Sequence, residues 1–333
     1  PALLEQASGQ IYATESAGSQ HRLRVCIPPS SQWTTLTNCP SIDGPFKWDV
    51  EGSTCAFVQW ETRDWKDKTL IVARLPDFET ILTLPQSIFS EPRFDNWQEV
   101  TDVAVSPDER SIAIPFRHTD AVAPKDRSSY FDLGGKCKLI VIDILSGQET
   151  ARADRWASDH DVCWLSDSRQ VLFSSFDDES LYRTTRAEVR GGTSYGIGYA
   201  HDGKFKRGLY VFNIETSTTT RFADGYDQSL ALATNEILVR NQDGFTLLDS
   251  SGTAQERVNA RRIGFRGAVV SPSGDYILAT IQRHVPFYAG GRLVLFHKST
   301  PNIRHMLDDD FSCRVDWTTG DKGISNQGVQ ATP

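Results

Sequence analysis

A strand–turn–strand unit recurs from one end of this chain to the other, and it restricts the fold more than any other feature. Three copies superpose directly: Val105-Ser-Pro-Asp-Glu-Arg-Ser-Ile-Ala-Ile, Trp164-Leu-Ser-Asp-Ser-Arg-Gln-Val-Leu-Phe and Val270-Ser-Pro-Ser-Gly-Asp-Tyr-Ile-Leu-Ala. In each, an apolar strand enters a short polar turn and a second apolar strand leaves it. Pro or Asp early in the turn presets the backbone or supplies a local acceptor. Gly or a polar residue later on meets the special dihedrals of a tight hairpin. Looser copies are Asp49-Val-Glu-Gly-Ser-Thr-Cys-Ala-Phe-Val, Leu232-Ala-Thr-Asn-Glu-Ile-Leu-Val and Asp316-Trp-Thr-Thr-Gly-Asp-Lys-Gly-Ile.

A second kind of hairpin alternates with the first. It reads Leu70-Ile-Val-Ala-Arg-Leu, Leu139-Ile-Val-Ile-Asp-Ile-Leu-Ser-Gly, Leu209-Tyr-Val-Phe-Asn-Ile-Glu-Thr, Phe245-Thr-Leu-Leu-Asp-Ser-Ser-Gly and Leu293-Val-Leu-Phe-His-Lys-Ser. A short outer strand follows, such as Thr80-Ile-Leu-Thr-Leu. The sixth copy stands at the opposite end of the chain, as Leu23-Arg-Val-Cys-Ile-Pro and then Trp33-Thr-Thr-Leu-Thr.

The two series are therefore offset by a circular shift. The last hairpin of the first kind, near Phe311 to Ile324, has no partner downstream, and the first of the second kind, near His21 to Thr37, has none upstream. Joining them closes a ring. The reading is an all-β, six-bladed β-propeller whose N-terminal strands and C-terminal strand share one blade, with seven blades as the runner-up. One domain would span 1–333, with 1–40 and 308–325 in the closing blade and 326–333 a flexible tail. Long helical periodicity is missing, which agrees with this class.

The turns at Ser106-Pro107-Asp108 and Ser271-Pro272-Ser273-Gly274-Asp275, with their following strands, resemble the WD40-like (PD40) repeats of TolB-type propellers. The resemblance implies the architecture over nearly the whole chain. Its motif builds a turn and carries no chemistry. Several copies depart from it, the third, fourth and sixth lacking Ser-Pro, and the Gly-His and Trp-Asp pairs of true WD40 repeats are missing.

Composition removes several functions. With 35 Lys and Arg against 43 Asp and Glu the chain carries a net charge of −8, which opposes a general phosphate-backbone binder, so no nucleic acid partner is expected. No apolar run approaches the roughly 18 residues of a membrane span. Pro1 to Gln6 has no signal-peptide pattern. Met trimmed before Pro suits a cytoplasmic protein, while a leader already removed would suit the periplasm or secretion. Cys26, Cys39, Cys55, Cys137, Cys163 and Cys313 never reach CxxC spacing, so no zinc or thioredoxin-type centre is read.

Function, on this reading, belongs to the connections between the second and third strands of each blade. Three of them exceed what a hairpin needs: His118 to Lys136, Asp177 to Arg207 and His284 to Arg292. The longest is locally basic and interleaves Tyr with Gly. Arg190, Tyr195, Tyr199 and His201 there, with Arg117 and Arg283 at the mouths of the others, are the ligand-binding candidates. An anionic or carbohydrate ligand, or the acidic face of a partner protein, would suit them. Gly192-Thr-Ser-Tyr-Gly196 matches GxSxG, yet it lacks the strand–elbow–helix setting that would activate Ser194. TolB-like peptidases carry a separate hydrolase domain, for which the ring leaves no residues here.

His118 and His284 fall at nearly equivalent points just past the second strands of their blades, and His160 precedes the first strand of the third, so all three should face one mouth of the channel. Together they would form a catalytic or divalent-metal cluster, flanked by Asp159 and Asp161. Without that convergence no cofactor is expected. Trp164 and Trp317 read as core, whereas Trp60, Trp65 and Trp97 lie near loop ends where an aromatic could meet a ligand. Two classes stay open: a binding module for a protein or small molecule at the loop-lined face, and a propeller lyase, hydrolase or cyclase-like enzyme using the His/Asp/Arg cluster.

Overall fold

A computed structural model describes residues 8–17, 20–30, 32–36, 38–42, 48–60, 68–85, 100, 102–117, 137–157, 162–176, 207–224, 228–231, 237–241, 244–259, 265–282, 291–300, 304–312 and 315–318. In chain order the strands are β1 (Gln10–Ala17), β2 (Gln20–Cys26), β3 (Trp33–Thr35), β4 (Trp48–Glu51), β5 (Thr54–Trp60), β6 (Lys68–Arg74), β7 (Glu79–Pro85) and β8 (Ala104–Val105). Next come β9 (Ser111–Arg117), β10 (Cys137–Asp143), β11 (Glu149–Arg152), β12 (Cys163–Trp164), β13 (Gln170–Phe176), β14 (Arg207–Asn213), β15 (Thr218–Asp224) and β16 (Gln228–Ala231). The remainder are β17 (Ile237–Asn241), β18 (Gly244–Leu248), β19 (Ala254–Asn259), β20 (Phe265–Val270), β21 (Tyr276–Gln282), β22 (Gly291–His297), β23 (Arg304–Ser312) and β24 (Val315–Thr318).

Among the described residues these strands form six four-stranded antiparallel sheets and no helix. Five sheets are consecutive: β4–β7, β8–β11, β12–β15, β16–β19 and β20–β23. The sixth has the order β24-β1-β2-β3. The first strands of the sheets neighbour one another in sequence, β4 with β8, β8 with β12, β12 with β16, β16 with β20, β20 with β24 and β24 with β4. The all-β propeller architecture expected from the hairpins is therefore present.

The closing sheet is shared differently from the hairpin expectation. β24 alone comes from the C-terminal end, and Ile11 pairs with Trp317 and Tyr12 with Asp316. The place beside it is filled by β1, whereas Asp308 to Ser312 lie in β23 of the preceding sheet. The reason is visible in β1 itself, where Tyr12 packs toward the first sheet and Ile11 and Ala13 pack toward the fifth. A strand apolar on both faces fits the middle of a blade. Residues 319–333, including the expected tail, lie outside the described residues.

Each sheet is buried on both faces, and this explains the continuous apolar runs in the sequence. Ile112 and Ile114 of β9 pack against the first sheet, whereas Ala113 between them packs toward the third. Six such apolar clusters lie between neighbouring sheets, the one between the closing and first sheets including Tyr12, Trp48, Cys55 and Phe57.

The Ser-Pro turns show why those residues recur. Ser106 Oγ accepts from Ser111 N at 2.9 Å and donates to Asp108 Oδ1 at 2.6 Å, while Glu109 N donates to Ser106 O. Ser271 Oγ likewise accepts from Tyr276 N at 3.0 Å. Where Leu165 replaces the serine, Asp167 Oδ1 accepts from Arg169 N and Gln170 N instead. The last turn residue is left-handed in each, with φ of 59° at Glu109, 55° at Ser168 and 78° at Gly274.

Candidate functional site

Antiparallel pairing puts the first-to-second and third-to-fourth strand turns at one end of every sheet, and the second-to-third connections at the other. The three long connections lie at that second end, between β9 and β10, β13 and β14, and β21 and β22. β14 begins at Arg207 and β22 at Gly291, so the connections are 118–136, 177–206 and 283–290. His118, His160, His284, Arg283, Arg190, Tyr195, Tyr199, His201 and Ser194 all lie outside the described residues, as do Trp65 and Trp97. Arg117 is the last residue of β9 and Trp60 the last of β5, each described by its backbone. Trp164 is core, 5% exposed, and donates from Nε1 to Ala104 O.

The structure describes in detail how two of these connections are rooted. Arg117 pairs with Cys137 across β9 and β10. Cys137 in turn exchanges two backbone hydrogen bonds of 2.8 Å with Ala157, on the segment leading to the third sheet. One residue earlier, Trp156 O accepts from Ser175 Oγ at 2.6 Å, and Ser175 precedes Phe176, which pairs with Arg207. The strand ends bearing the 118–136 and 177–206 connections are thus joined through one short segment.

Two cations of this region are stacked on aromatic rings, one on each face of the second sheet. Lys138 Nζ lies 5.7 Å from the centroid of the half-buried Trp156 ring. The Arg155 guanidinium lies 4.1 Å from that of Tyr210, which is 5% exposed. Asp154 Oδ1 accepts from Thr219 Oγ1 at 2.6 Å. Sequence reading did not single out Lys138 or Arg155, because the partners that define them sit in other strands. The Arg155-Trp156 pair after a short fourth strand is the only local signal.

At the turn-bearing end, polar side chains are engaged in holding sheets and turns. Glu109 Oε2 accepts from Ser53 Oγ at 2.8 Å and Thr54 Oγ1 at 2.7 Å, latching the second sheet's turn to the first's. Asp108 N donates to Ser168 Oγ of the third sheet's turn. Nearer the ring's interior, the buried Asp49 accepts from Val105 N at 2.6 Å, and Asp102 from Val162 N at 3.3 Å. Asp143, Asn213 and His297 end their third strands and Asp249 directly follows its own, and each accepts from backbone N–H of the turn that follows. Hydrogen bonds from Ser146 hold the Asp143 carboxyl below its usual range, and Ser251 does the same for Asp249.

Cys26, Cys39, Cys55, Cys137 and Cys163 are thiols and form no disulfide among the described residues. Burial pushes Cys39 up to about 11, opposed by the hydrogen bond that Leu23 N donates to its sulfur, so it stays protonated near neutrality. Among the described residues no three metal-ligating side chains gather. No helix there is long and apolar enough to cross a membrane.

Comparison with known proteins places this frame in a structural class. No family model matches the chain, and no curated protein matches its sequence. Solved structures do. TolB from Acinetobacter baumannii aligns with a TM-score of 0.58 at 13% identity, over 91% of this chain and 65% of that one. A protein described as TolB from Agrobacterium tumefaciens aligns with a TM-score of 0.52 at 13% identity, over 92% of this chain and 90% of that one. The fold is that of a TolB-like β-propeller. The chain spans just under two thirds of the length of the Acinetobacter protein.

Proposed function

We propose that this protein is a binding module that holds a protein or small ligand at the loop-bearing end of its propeller, centred on the junction of the second and third sheets. One observation carries the reading: the strand ends that launch the two longest connections are joined through Arg155–Ala157. Rigid roots limit the entropy lost when such connections order around a ligand. At the opposite end the polar side chains already serve turns and inter-sheet latches, which leaves that surface structural. Arg117, Arg283, Arg190, Tyr195, Tyr199 and His201 remain the proposed ligand contacts.

The test replaces residues 177–206 with a two-residue Asn-Gly turn between Phe176 and Arg207, which are paired neighbours. Thermal melts of both proteins against a panel of anions, sugars and acidic peptides should agree in the absence of additive. A ligand that stabilises the parent should lose its effect on the shortened chain. Equal stabilisation of both would remove the reading.

The enzyme alternative assigns catalysis or a divalent metal to His118, His160 and His284. It predicts that His118→Ala and His284→Ala abolish turnover or metal-dependent stabilisation seen in the parent. The binding reading expects both variants to retain any turnover found.

A further inference from the structure

We propose that the outer edge of the first sheet pairs with the same edge of a second copy of this chain, joining two propellers about a two-fold axis. The outermost strand of a sheet presents unpaired N–H and C=O groups, and proteins blunt such edges by keeping them short or by charging them. Five of the six outer strands here are blunted. β3 is three residues long, and β11, β15, β19 and β23 each carry both an acidic and a basic residue. β7 is the exception. Its one charge is Glu79 at the start, and Thr80-Ile-Leu-Thr-Leu follows uncharged. Among the described residues β7 pairs with β6 alone.

An apolar patch adjoins this edge. Leu82 and Leu84 face the second sheet, Leu84 buried and Leu82 half-buried. Gly147 of that sheet lies against both, since a Cβ there would come within 3.1 Å of Leu82 and 3.7 Å of Leu84. Two residues before it Leu145 is 86% exposed, the one large apolar side chain so exposed among the described residues. Backbone donors and acceptors with uncovered apolar area beside them are what strand addition uses.

The register points to a second copy as the occupant. A strand laid antiparallel to itself about Thr83 sets Leu82 opposite Leu84 of the copy, twice over, and Thr83 opposite Thr83. Such apolar and Thr–Thr pairs favour a sheet contact, and the arrangement is self-complementary as a two-fold interface requires. Glu79 then falls beyond Pro85, so no like charges oppose each other. Copies that each carry −8 need an uncharged meeting place. The register shift between Val72 and Ala73 leaves Ile81 as an extra residue, and Pro85 has no N–H, so the new ladder is confined to Leu82–Leu84. So short a ladder makes the dimer weak and reversible. Because the other edges are blunted, assembly stops at two copies.

Sedimentation velocity of the full chain over a concentration series should show monomer passing reversibly to dimer. Hydrogen exchange over residues 79–85 should slow as the dimer forms. Thr83 is exposed, so replacing it leaves the core intact. Thr83→Lys and Thr83→Glu should each weaken dimerisation about fivefold, since the axis sets like charges face to face. Mixed in equal amounts, the two variants should associate at least as tightly as the parent. Leu145→Ser should weaken the dimer too. Thr220→Lys, on the charged outer strand β15, should leave it unchanged. Thermal melts check that each variant is folded.

A chain that stays monomeric throughout the series overturns the proposal. So does a dimer whose slowed exchange lies away from β7, growth beyond two copies, or Thr83 variants that stay apart when mixed. None of these outcomes bears on the loop-bearing end, whose test reads ligand effects on the chain shortened at 177–206.

Discussion

At one end of the sheets Glu109 accepts hydrogen bonds from Ser53 and Thr54 of the neighbouring sheet, and Asp249 caps its own turn through Ser251. At the other end Trp156 carries Lys138 on its face and lies where the two longest connections are rooted. Both ends are rich in polar residues, so composition alone does not separate them. Their hydrogen bonds do. The turn-bearing end satisfies its side chains locally, and residues there are constrained by the frame. At the loop-bearing end the long connections depart from complete ladders and one bridging segment, so chain length can vary there without breaking a sheet. On the proposed reading, a propeller of this build can change its loops at one end while the other preserves the sheets.

The sharpest way to break this comparison is to remove the strand that closes the ring. Truncation before Val315 deletes β24 and strips β1 of its partner over Gln10–Ala13. The expected outcome is loss of cooperative unfolding in denaturant, since a deficit of several kcal/mol approaches the whole stability of an ordinary domain. A chain still melting like the parent would show that the ring does not depend on this closure.

Trp48→Ala comes next. Trp48 is fully buried in the cluster joining the closing and first sheets, and its truncation should cost about 3–5 kcal/mol in equilibrium unfolding. Glu109→Ala tests the latch at the turn-bearing end. It leaves Ser53 and Thr54 without their shared acceptor, with an expected loss of about 2 kcal/mol. Lys138→Ala, at the loop-bearing end, should change stability by under about 0.5 kcal/mol if that end is reserved for binding. Comparable losses at Glu109 and Lys138 would erase the distinction drawn between the ends.

Two smaller effects sharpen it. Asp143 and Asp249 are stronger acids in the folded chain than their usual 3.8. Their contribution is therefore present above that value and lost as pH falls through the lower folded values. Asp143→Ala with Asp249→Ala should lower the Tm at neutral pH, and the gap from the parent should close in strong acid. A gap that persists there would mean the carboxylate charge is not what caps the turns. Ser217 sits exposed at φ 54°. Ser217→Gly should raise stability by up to about 1 kcal/mol by relieving the left-handed strain, read as a higher denaturation midpoint.

The frame was legible because a hairpin is a local object. Val105 to Ile114 contains its strand, its turn residues and its return strand, so the repeat shows in the linear text, and the alternation of Ile112, Ala113 and Ile114 says that both faces are covered. β1 was harder. Gln10–Ala17 has no Ser-Pro turn before it, and its inner neighbour Val315–Thr318 is about three hundred residues away in sequence. Of the site, the lengths of the three connections and the basic character of the longest were readable. Lys138 and Arg155 were not, since neither carries a motif.

By itself, the sequence determined the all-β class, the alternation of two hairpins and the circular offset that requires the chain's ends to meet, because each follows from contacts a few residues apart. Only the tertiary structure decided that one C-terminal strand meets three N-terminal ones, and that Cys137, Ala157 and Ser175 join two loop roots at a single junction. Those are pairings between segments that share no local pattern. They are selected by which faces pack when the sheets come together around the ring.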